Sequence, residues 1–299
     1  MLQIDGLSKT YNQTFKALDN VSFSAKHNSI CGIVGPNGAG KTTTIRIILG
    51  ILAADSGTIT YDGIPISDIP RSTFGYLPEE RGLYKKATSF ETLMYLGSLK
   101  TKNTQQLKKD IDTWLERFTI PDYKHKKIDE LSKGNQQKIQ FIASVLHNPE
   151  ILIVDEPLSG LDPINQELFK DIVKELSAHT TILFCSHQLA IAQELCDSVV
   201  ILNKGRVALS DTMNAIIKPK SNLIRIEFDT PILRDTISLP HQILNDHELI
   251  LELPQQASIN DVMPILISMG TIQSIQHYTP SLLSVFKSIV GDHIEEAGS

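Results

Sequence analysis

The sequence of 299 residues has no uncharged apolar run of about 18 residues, which is the length that a helix needs to cross a bilayer. Its start also lacks a basic segment followed by an apolar block, so we expect no secretion signal. Only three cysteines occur, and their spacing does not suit a metal site. These absences predict a protein that is soluble by itself in the reducing cytosol, with cysteines that act as small core residues.

Basic residues are scarce toward the end of the chain. The net charge is −6. Residues 220–299 carry 4 Lys and Arg against 10 Asp and Glu, so the whole excess of negative charge lies in this region. An acidic region repels phosphate backbones and anionic lipid headgroups. We therefore expect no nucleic-acid partner and no direct docking on anionic lipid.

A glycine-rich loop follows the apolar run Ile30–Val34 directly. Residues 35–42 read Gly-Pro-Asn-Gly-Ala-Gly-Lys-Thr, and a helical stretch is expected over 42–49. This is the G-x-x-x-x-G-K-[ST] pattern, in which backbone N–H groups and a helix N-terminus surround an anion. Lys41 is expected to reach the β- and γ-phosphates, and Thr42 to ligate Mg²⁺. A glycine-rich turn with a lone lysine is the alternative, but strand, loop and helix together favour a nucleoside triphosphate site.

Two carboxylates end a second apolar run. Residues 151–154 read Ile-Leu-Ile-Val, which predicts a buried parallel strand, and Asp155 and Glu156 follow. The carboxyl ends of such strands are where open α/β sheets bind ligands. We expect Asp155 to hold Mg²⁺ and Glu156 to act as general base on the attacking water. The alternative is that the two acids only end the strand and cap the next turn.

Further motifs resemble those of the ATP-binding cassette (ABC) ATPases. Residues 131–136, Leu-Ser-Lys-Gly-Asn-Gln, resemble the Leu-Ser-Gly-Gly-Gln signature, and residues 159–162, Ser-Gly-Leu-Asp, resemble the D-loop. His187 is similar to the switch histidine, Tyr11 to the aromatic residue that stacks on adenine, and residues 76–79 to the Q-loop. The resemblance covers about residues 1–215, and its motifs stand in the family's order.

The resemblance implies an α/β P-loop NTPase core of ABC type with an inserted helical subdomain. It also implies ATP and Mg²⁺ as cofactors, ATP hydrolysis, and a sandwich dimer in which the signature of one cassette covers the γ-phosphate held by the other. The implied catalytic residues are Lys41, Glu156 and His187, and the implied Mg²⁺ ligands are Thr42, Glu79 and Asp155. The implied nucleotide-binding residues are Tyr11, Gly35, Pro36, Asn37, Gly38, Ala39, Gly40, Lys41, Thr42, Thr43, Ser132, Gly134 and Asp162.

Three residues depart from the family pattern. Glu79 stands where the family has glutamine, and it could approach Mg²⁺, weaken ATP binding through its charge, or tilt outward. Lys133 replaces a signature glycine and could aid the opposite phosphate, although we favour a solvated side chain. Asn135 replaces the signature glutamine. Since Lys41, Asp155, Glu156 and His187 are all present, we expect an active ATPase.

The chain is expected to form two domains. Residues 1–215 would be the ATPase domain, with a helical subdomain at about 82–148 that includes a capping box at Thr88 and Glu91. Lys218–Asn222 reads as a polar break. Residues 220–299 would then form a small acidic α+β domain with a structural or regulatory role, because no group of residues there suggests chemistry.

The single cassette and the short insert favour a transporter subunit. The run at 76–84, the signature run at 131–137 and the added C-terminal domain are similar to those of bacterial ATPases of drug, sodium and peptide exporters. This resemblance implies a separate transmembrane permease as partner, a homodimer or paired cassette, and a peripheral location on the cytoplasmic face of the membrane. The alternative is a soluble regulatory or assembly ABC ATPase that does not drive transport.

Overall fold

The structure is a computed structural model that describes residues 1–12, 14–80, 82–218, 222–232, 239–254 and 257–291. Within it the chain forms two compact units, Met1–Met213 and Asn214–Ser299. Most of the expected polar break, residues 219–221, lies outside the described residues. No helix among those described combines the length and the apolar character that a membrane crossing requires.

The first unit is mixed α/β. Its strands and helices are, in chain order, β1 (Leu2–Tyr11), β2 (Phe15–Ala25), β3 (Ile30–Val34), α1 (Lys41–Ile48), β4 (Ser56–Tyr61), β5 (Ile64–Pro65), β6 (Phe74–Leu77), α2 (Ser89–Ser98), α3 (Thr104–Arg117), α4 (Lys133–Val145), β7 (Ile151–Asp155), α5 (Pro163–Ser177), β8 (Thr181–Ser186), α6 (Leu189–Leu195), β9 (Ser198–Asn203) and β10 (Arg206–Thr212). α7 (Met213–Ile216) follows at the division between the units.

A six-stranded sheet with the order β10-β9-β3-β8-β7-β6 forms the centre of this unit. The five strands from β9 to β6 run parallel, and β10 pairs antiparallel with β9. Every residue of β3, β7 and β8 is buried, which explains their continuous apolar sequences. Because these strands are parallel, their carboxyl ends meet at one edge of the sheet.

A second, antiparallel sheet with the order β2-β1-β4-β5 shares its hydrophobic core with β3 and α1. Leu2 and Ile4 of β1 pack in the same cluster as Ile33 of β3 and Ile45 of α1. All three cysteines are buried, which confirms their expected role as core residues. Burial raises the pKa of the Cys31 thiol to about 11, so this sulfur stays protonated and unreactive at neutral pH.

The helices α2, α3 and α4 occupy the expected helical insert. Glu91 N donates to Thr88 Oγ1 across 3.2 Å and Thr88 N donates to Glu91 Oε2 across 2.8 Å, so the predicted capping box begins α2. Trp114 of α3 and Phe118, which follows it, pack against Phe141 of α4, and Phe118 also packs against Phe169 of α5. These contacts fix α4 against α3 and α5.

The burial of α4 differs from its sequence pattern. An amphipathic helix buries only its apolar face, but in α4 the polar residues Gln137, Lys138 and Gln140 are buried as well. Their polar groups donate to backbone carbonyls of the surrounding segments: Gln137 Nε2 to Pro157 O and Lys138 Nζ to Phe118 O. Polar side chains can enter a core when such bonds satisfy their donors.

The second unit is a small α+β unit. Its elements are β11 (Leu223–Phe228), β12 (His241–Asn245), β13 (Glu248–Glu252), α8 (Ile259–Met269), β14 (Ile272–His277) and α9 (Leu282–Val290). The strands form an antiparallel sheet with the order β12-β13-β11-β14, and the inward residues of β11 and β13 share a core with α8. The unit has the expected α+β composition, and β12 is a mostly exposed edge strand with the sequence His-Gln-Ile-Leu-Asn.

A fragment that ends at residue 215 is expected to fold and to bind ATP without the rest of the chain. The first unit has its own sheets and its own core, and domains of this kind are independent folding units. Circular dichroism should show one cooperative thermal transition, and titration with a fluorescent ATP analogue should give an affinity close to that of the full-length protein. We expect dimerisation or complex assembly to be weaker in the fragment. A well-folded fragment that cannot bind ATP would contradict this division.

Candidate functional site

Four segments that the sequence singled out lie at one edge of the central sheet. The glycine-rich loop follows β3, His187 follows β8, Asp155 ends β7, and Glu79 lies just beyond β6. In the sheet order these strands are consecutive neighbours, β3-β8-β7-β6. Side chains separated by more than a hundred residues in sequence therefore converge because parallel strands end at the same edge.

The glycine-rich loop turns tightly between β3 and α1. Gly38 and Gly40 have positive φ angles of 78° and 105°, and α1 begins at Lys41. A Cβ atom at Gly40 would lie 2.6 Å from Leu18 Cδ2 and 2.8 Å from Ala17 O, so no side chain fits there. The loop tip at Asn37 and Gly38 is exposed. The remaining predicted loop residues, Gly35, Pro36, Ala39, Thr42 and Thr43, line the same turn and the first turn of α1.

Lys41 points back into this loop. Its side chain is largely buried, and Nζ donates to Gly35 O across 2.7 Å and to Pro36 O across 3.2 Å. The ammonium group thus lies within the turn whose backbone would surround a phosphate. A bound phosphate oxygen could replace these neutral carbonyls as a stronger, charge-assisted acceptor.

Asp155 is buried in a negatively charged environment. Only 3% of the residue is exposed, and burial, followed by the nearby charges of Glu79 and Glu156, raises the pKa of its carboxyl to about 6. Lys41 and Arg46 act in the opposite direction but do not cancel the effect. This surplus of negative charge suits a divalent cation, and the oxygen atoms of Asp155 and Thr42 are of the type that Mg²⁺ prefers. The residues present therefore fit a magnesium ion.

The Glu156 carboxylate is held by the end of β8. Oε1 accepts a hydrogen bond from His187 N and contacts His187 Nδ1, both at 2.8 Å, and Oε2 accepts from Ser186 Oγ at 3.2 Å. Glu156 has a φ of 49°, in the left-handed region that few side chains adopt. Such a conformation persists where the surroundings enforce it, here the bond from Glu156 N to Cys185 O.

The other predicted nucleotide-binding residues occupy separate positions. Ser132 is the N-cap of α4 and accepts from Asn135 N, and Asp162 is the N-cap of α5 and accepts from Asn165 N. A Cβ atom at Gly134 would lie 3.4 Å from Leu161 Cδ2, so the signature lies close to the D-loop of its own chain. These local contacts leave their proposed roles toward a second cassette as predictions.

Tyr11 ends β1, where it pairs with Phe15 across the hairpin, and is half-buried. The same hairpin supplies Ala17 and Leu18, which lie against Gly40. This places Tyr11 on an element adjoining the glycine-rich loop, a position compatible with its expected contact with adenine.

Sequence reasoning missed two residues at this edge. One is Ser186, whose hydroxyl donates to Glu156 Oε2. Gln140 was overlooked within the apolar stretch of α4, yet Nε2 donates to Pro78 O across 3.3 Å and to Glu80 O across 3.0 Å. The available signal was a polar residue between Ile139 and Phe141, at a position where the helix pattern predicts burial.

Replacing Glu79 with glutamine is expected to leave the protein active but to change its Mg²⁺ dependence. The carboxylate contributes to the negative potential around Asp155, so its loss weakens the attraction for a cation. The Mg²⁺ concentration for half-maximal activity should rise by roughly fivefold, which corresponds to about 1 kcal/mol for charges close together in water. Glu80→Gln, at the neighbouring exposed carboxylate, is the matched control. An unchanged Mg²⁺ titration would leave Glu79 without a role at the cation.

Comparison with known proteins identifies relatives for both units. The family model described as ABC transporter matches residues 18–159. The chain is 40% identical over 295 residues to YhaQ of Bacillus subtilis, an uncharacterized ABC transporter ATP-binding protein, covering 97% of this chain and 99% of the relative. It is 30% identical over 309 residues to the linearmycin resistance ATP-binding protein LnrL of the same organism, covering 97% and 98%.

Solved structures match about seven-tenths of the chain. A structure of the ATP-binding subunit of an ABC transporter superposes with a TM-score of 0.67 at 31% identity, covering 72% of this chain and 91% of that chain. The dimeric cassette MJ0796 in a post-hydrolysis state with ADP and Pi has a TM-score of 0.66 at 23% identity, covering 71% and 99%. The second of these similarities shows the fold alone.

Proposed function

This chain belongs to the ABC transporter family of ATP-binding proteins, and from that premise we propose that it energises a membrane exporter whose transmembrane part is a separate chain. It is an ATP-binding transporter subunit that hydrolyses ATP. The observation that supports our assignment of the site is the convergence of Lys41, Asp155, Glu156 and His187 at neighbouring strand ends.

The glycine-rich loop binds the phosphates of ATP in this proposal. Its backbone N–H groups and the start of α1 surround the β-phosphate, and Lys41 transfers its hydrogen bonds from Gly35 O and Pro36 O to phosphate oxygens. Tyr11 stacks on adenine. When Mg²⁺ is bound, it neutralises charge on the β- and γ-phosphates, and Thr42, Asp155 and Glu79 are the residues that would hold it.

Glu156 removes the proton of the attacking water. Oε1 is already engaged by two nitrogen atoms of His187, whereas Oε2 has the longer contact with Ser186 Oγ. Oε2 is therefore the oxygen that we assign as proton acceptor. His187 orients the carboxylate through its backbone N–H, and its ring can exchange the contact with Glu156 for one with the γ-phosphate.

Two cassettes complete each site. Ser132 and Gly134 at the start of α4 would cover the γ-phosphate held by the second cassette, with a helix N-terminus directed at the anion. Asp162 would contribute across the same interface. Support comes from the dimeric cassette that shares this fold.

Export rather than import is supported by the relative LnrL, a linearmycin resistance ATP-binding protein. The proposed contact with the permease lies on the helical subdomain, at the cytoplasmic face of the membrane. Tyr84, Tyr95 and Leu99 are exposed apolar residues there, and the two tyrosine rings meet edge to face with centroids 5.6 Å apart. Tyr95 of α2 and Leu99, the C-cap of that helix, lie one turn apart, so they present one apolar patch to a partner helix.

Co-expression with a multi-span membrane protein, chosen from the reading frames that neighbour the gene, tests the proposal. We expect the chain to sediment with membranes in its presence and to stay in the supernatant in its absence. Tyr95→Asp should reduce co-sedimentation while leaving ATPase activity in the isolated chain intact, and Ile64→Asp, at an equally exposed residue of β5 outside the helical subdomain, is the control. ATPase activity with no co-sedimentation would instead favour a regulatory or assembly ATPase. Vesicle uptake assays with candidate drugs then establish the direction of transport.

A further inference from the structure

Gln140 joins two parts of the nucleotide site that the sequence keeps apart. It lies in the middle of α4, is 6% exposed, and donates both amide N–H bonds to the loop after β6. The two accepting carbonyls belong to Pro78 and Glu80, so they bracket Glu79. One side chain therefore fixes the backbone on both sides of the carboxylate.

The orientation of this amide follows from its surroundings. Within the described part of the chain, Gln140 Oε1 has no hydrogen-bond partner. Turning the amide over would place Oε1 against two carbonyl oxygens and would leave both without a donor. Only the arrangement with Nε2 toward the loop donates hydrogen bonds to both carbonyls. The flipped amide is therefore excluded.

The position of the loop matters because Glu79 acts on Asp155 at a distance. Glu79 is exposed and gains no anchoring from burial of its own side chain, so its backbone determines how close its charge comes to the metal position. α4 in turn begins at Lys133, next to the N-cap Ser132. In the proposed dimer, the loop after β6 faces the nucleotide of its own cassette and the start of α4 faces the nucleotide of the second cassette. Gln140 bonds this loop to this helix.

We propose that Gln140 is a positioning residue that holds Glu79 in place for ATP hydrolysis. Through the same two bonds it couples movement of this loop to movement of the start of α4. The inference rests on the proposed role of Glu79 at the magnesium ion, and it goes beyond that role by assigning the residue that sets the position of Glu79.

Amide hydrogen exchange of the nucleotide-free protein tests the placement independently of catalysis. Gln140→Met keeps the length and bulk of the side chain but removes both donors, so deuterium uptake should rise in the segment 78–84. Gln136→Met is the matched control, because Gln136 Nε2 also donates to two backbone carbonyls, those of Ile128 and Leu131, both at 3.0 Å. The control should raise uptake near 128–131 and leave 78–84 unchanged.

A double-mutant cycle tests whether Gln140 acts through Glu79. Gln140→Met alone should lower kcat by about tenfold with little change in KM for ATP, as expected when lost hydrogen bonds misplace a catalytic group. In a Glu79→Ala background the same substitution should have almost no further effect. The effect of Gln136→Met should be the same in both backgrounds.

Equal losses from Gln140→Met in both backgrounds, or unchanged uptake over 78–84, would overturn the proposal. If Gln140→Met does not fold, Gln140→Ala removes the same donors without adding bulk or charge and should give the same two results. Failure of the metal role of Glu79 would appear separately: uptake over 78–84 would still rise, while Glu79→Gln would leave the Mg²⁺ titration unchanged.

Discussion

Replacing Glu156 with glutamine is expected to lower kcat for ATP hydrolysis by about 10²–10⁴-fold, the usual cost of losing a general base. Glutamine keeps the shape of the side chain and can still bond Ser186 and His187, but its amide cannot take a proton from water. ATP binding should persist, because the glycine-rich loop and Lys41 are untouched. A phosphate-release assay measures the loss, and an ATP-bound dimer should accumulate on size-exclusion chromatography.

Glu150→Gln is the matched control, since it makes the same substitution at an exposed residue just before the start of β7. It should leave kcat unchanged. Turnover by Glu156→Gln at the rate of the unmodified protein would remove Glu156 from the role of base. That result would not contradict the proposed binding of phosphate by the glycine-rich loop.

Replacing Lys41 with alanine is expected to weaken ATP binding itself by about 10–100-fold, because hydrogen bonds to charged groups contribute more than neutral ones. The substitution removes the ammonium group that the loop holds between Gly35 O and Pro36 O. Isothermal titration calorimetry with ATP in the presence of Mg²⁺ measures the change. Glu156→Gln is thus expected to change turnover, whereas Lys41→Ala is expected to change the affinity for ATP.

Lys174→Ala serves as control for the change in net charge, since Lys174 is exposed on α5. Its ATP affinity should equal that of the unmodified protein. Thermal unfolding of Lys41→Ala should also be checked, because the lysine fills a largely buried position. A folded Lys41→Ala with undiminished affinity for ATP would take Lys41 out of the phosphate site.

Those features that depend on local sequence were predictable. The glycine-rich loop, the capping box at Thr88 and the carboxylates after residue 154 each follow from a short pattern with a physical requirement. The family resemblance supplied the fold class, and the related cassette structures confirm it. The glycine-rich loop, Asp155 and His187 lie at one sheet edge because their strands are neighbours, whereas Tyr11, Ser132 and Asp162 lie on other elements.

Features that depend on the tertiary surroundings were not predictable. β12 has no apolar alternation because it lies at a sheet edge with little to bury. Gln140 looks unfavourable at a buried helix position until the carbonyls of Pro78 and Glu80 are seen next to it. The roles of Ser132 and Gly134 need a second cassette, so neither a single sequence nor a single chain tests them.

The order of strands in the central sheet also constrains how the protein is made. β3 ends at Val34, but its two neighbours, β8 and β9, begin only at Thr181 and Ser198. During translation β3 therefore leaves the ribosome long before either pairing partner exists, with both of its edges open to other chains. By contrast, β2 and β4 pair antiparallel with β1, and all three strands are complete by Tyr61, so their sheet can form first. The nucleotide site is thus assembled late in synthesis, and a ribosome that stalls before residue 181 leaves an aggregation-prone strand that chaperones must shield.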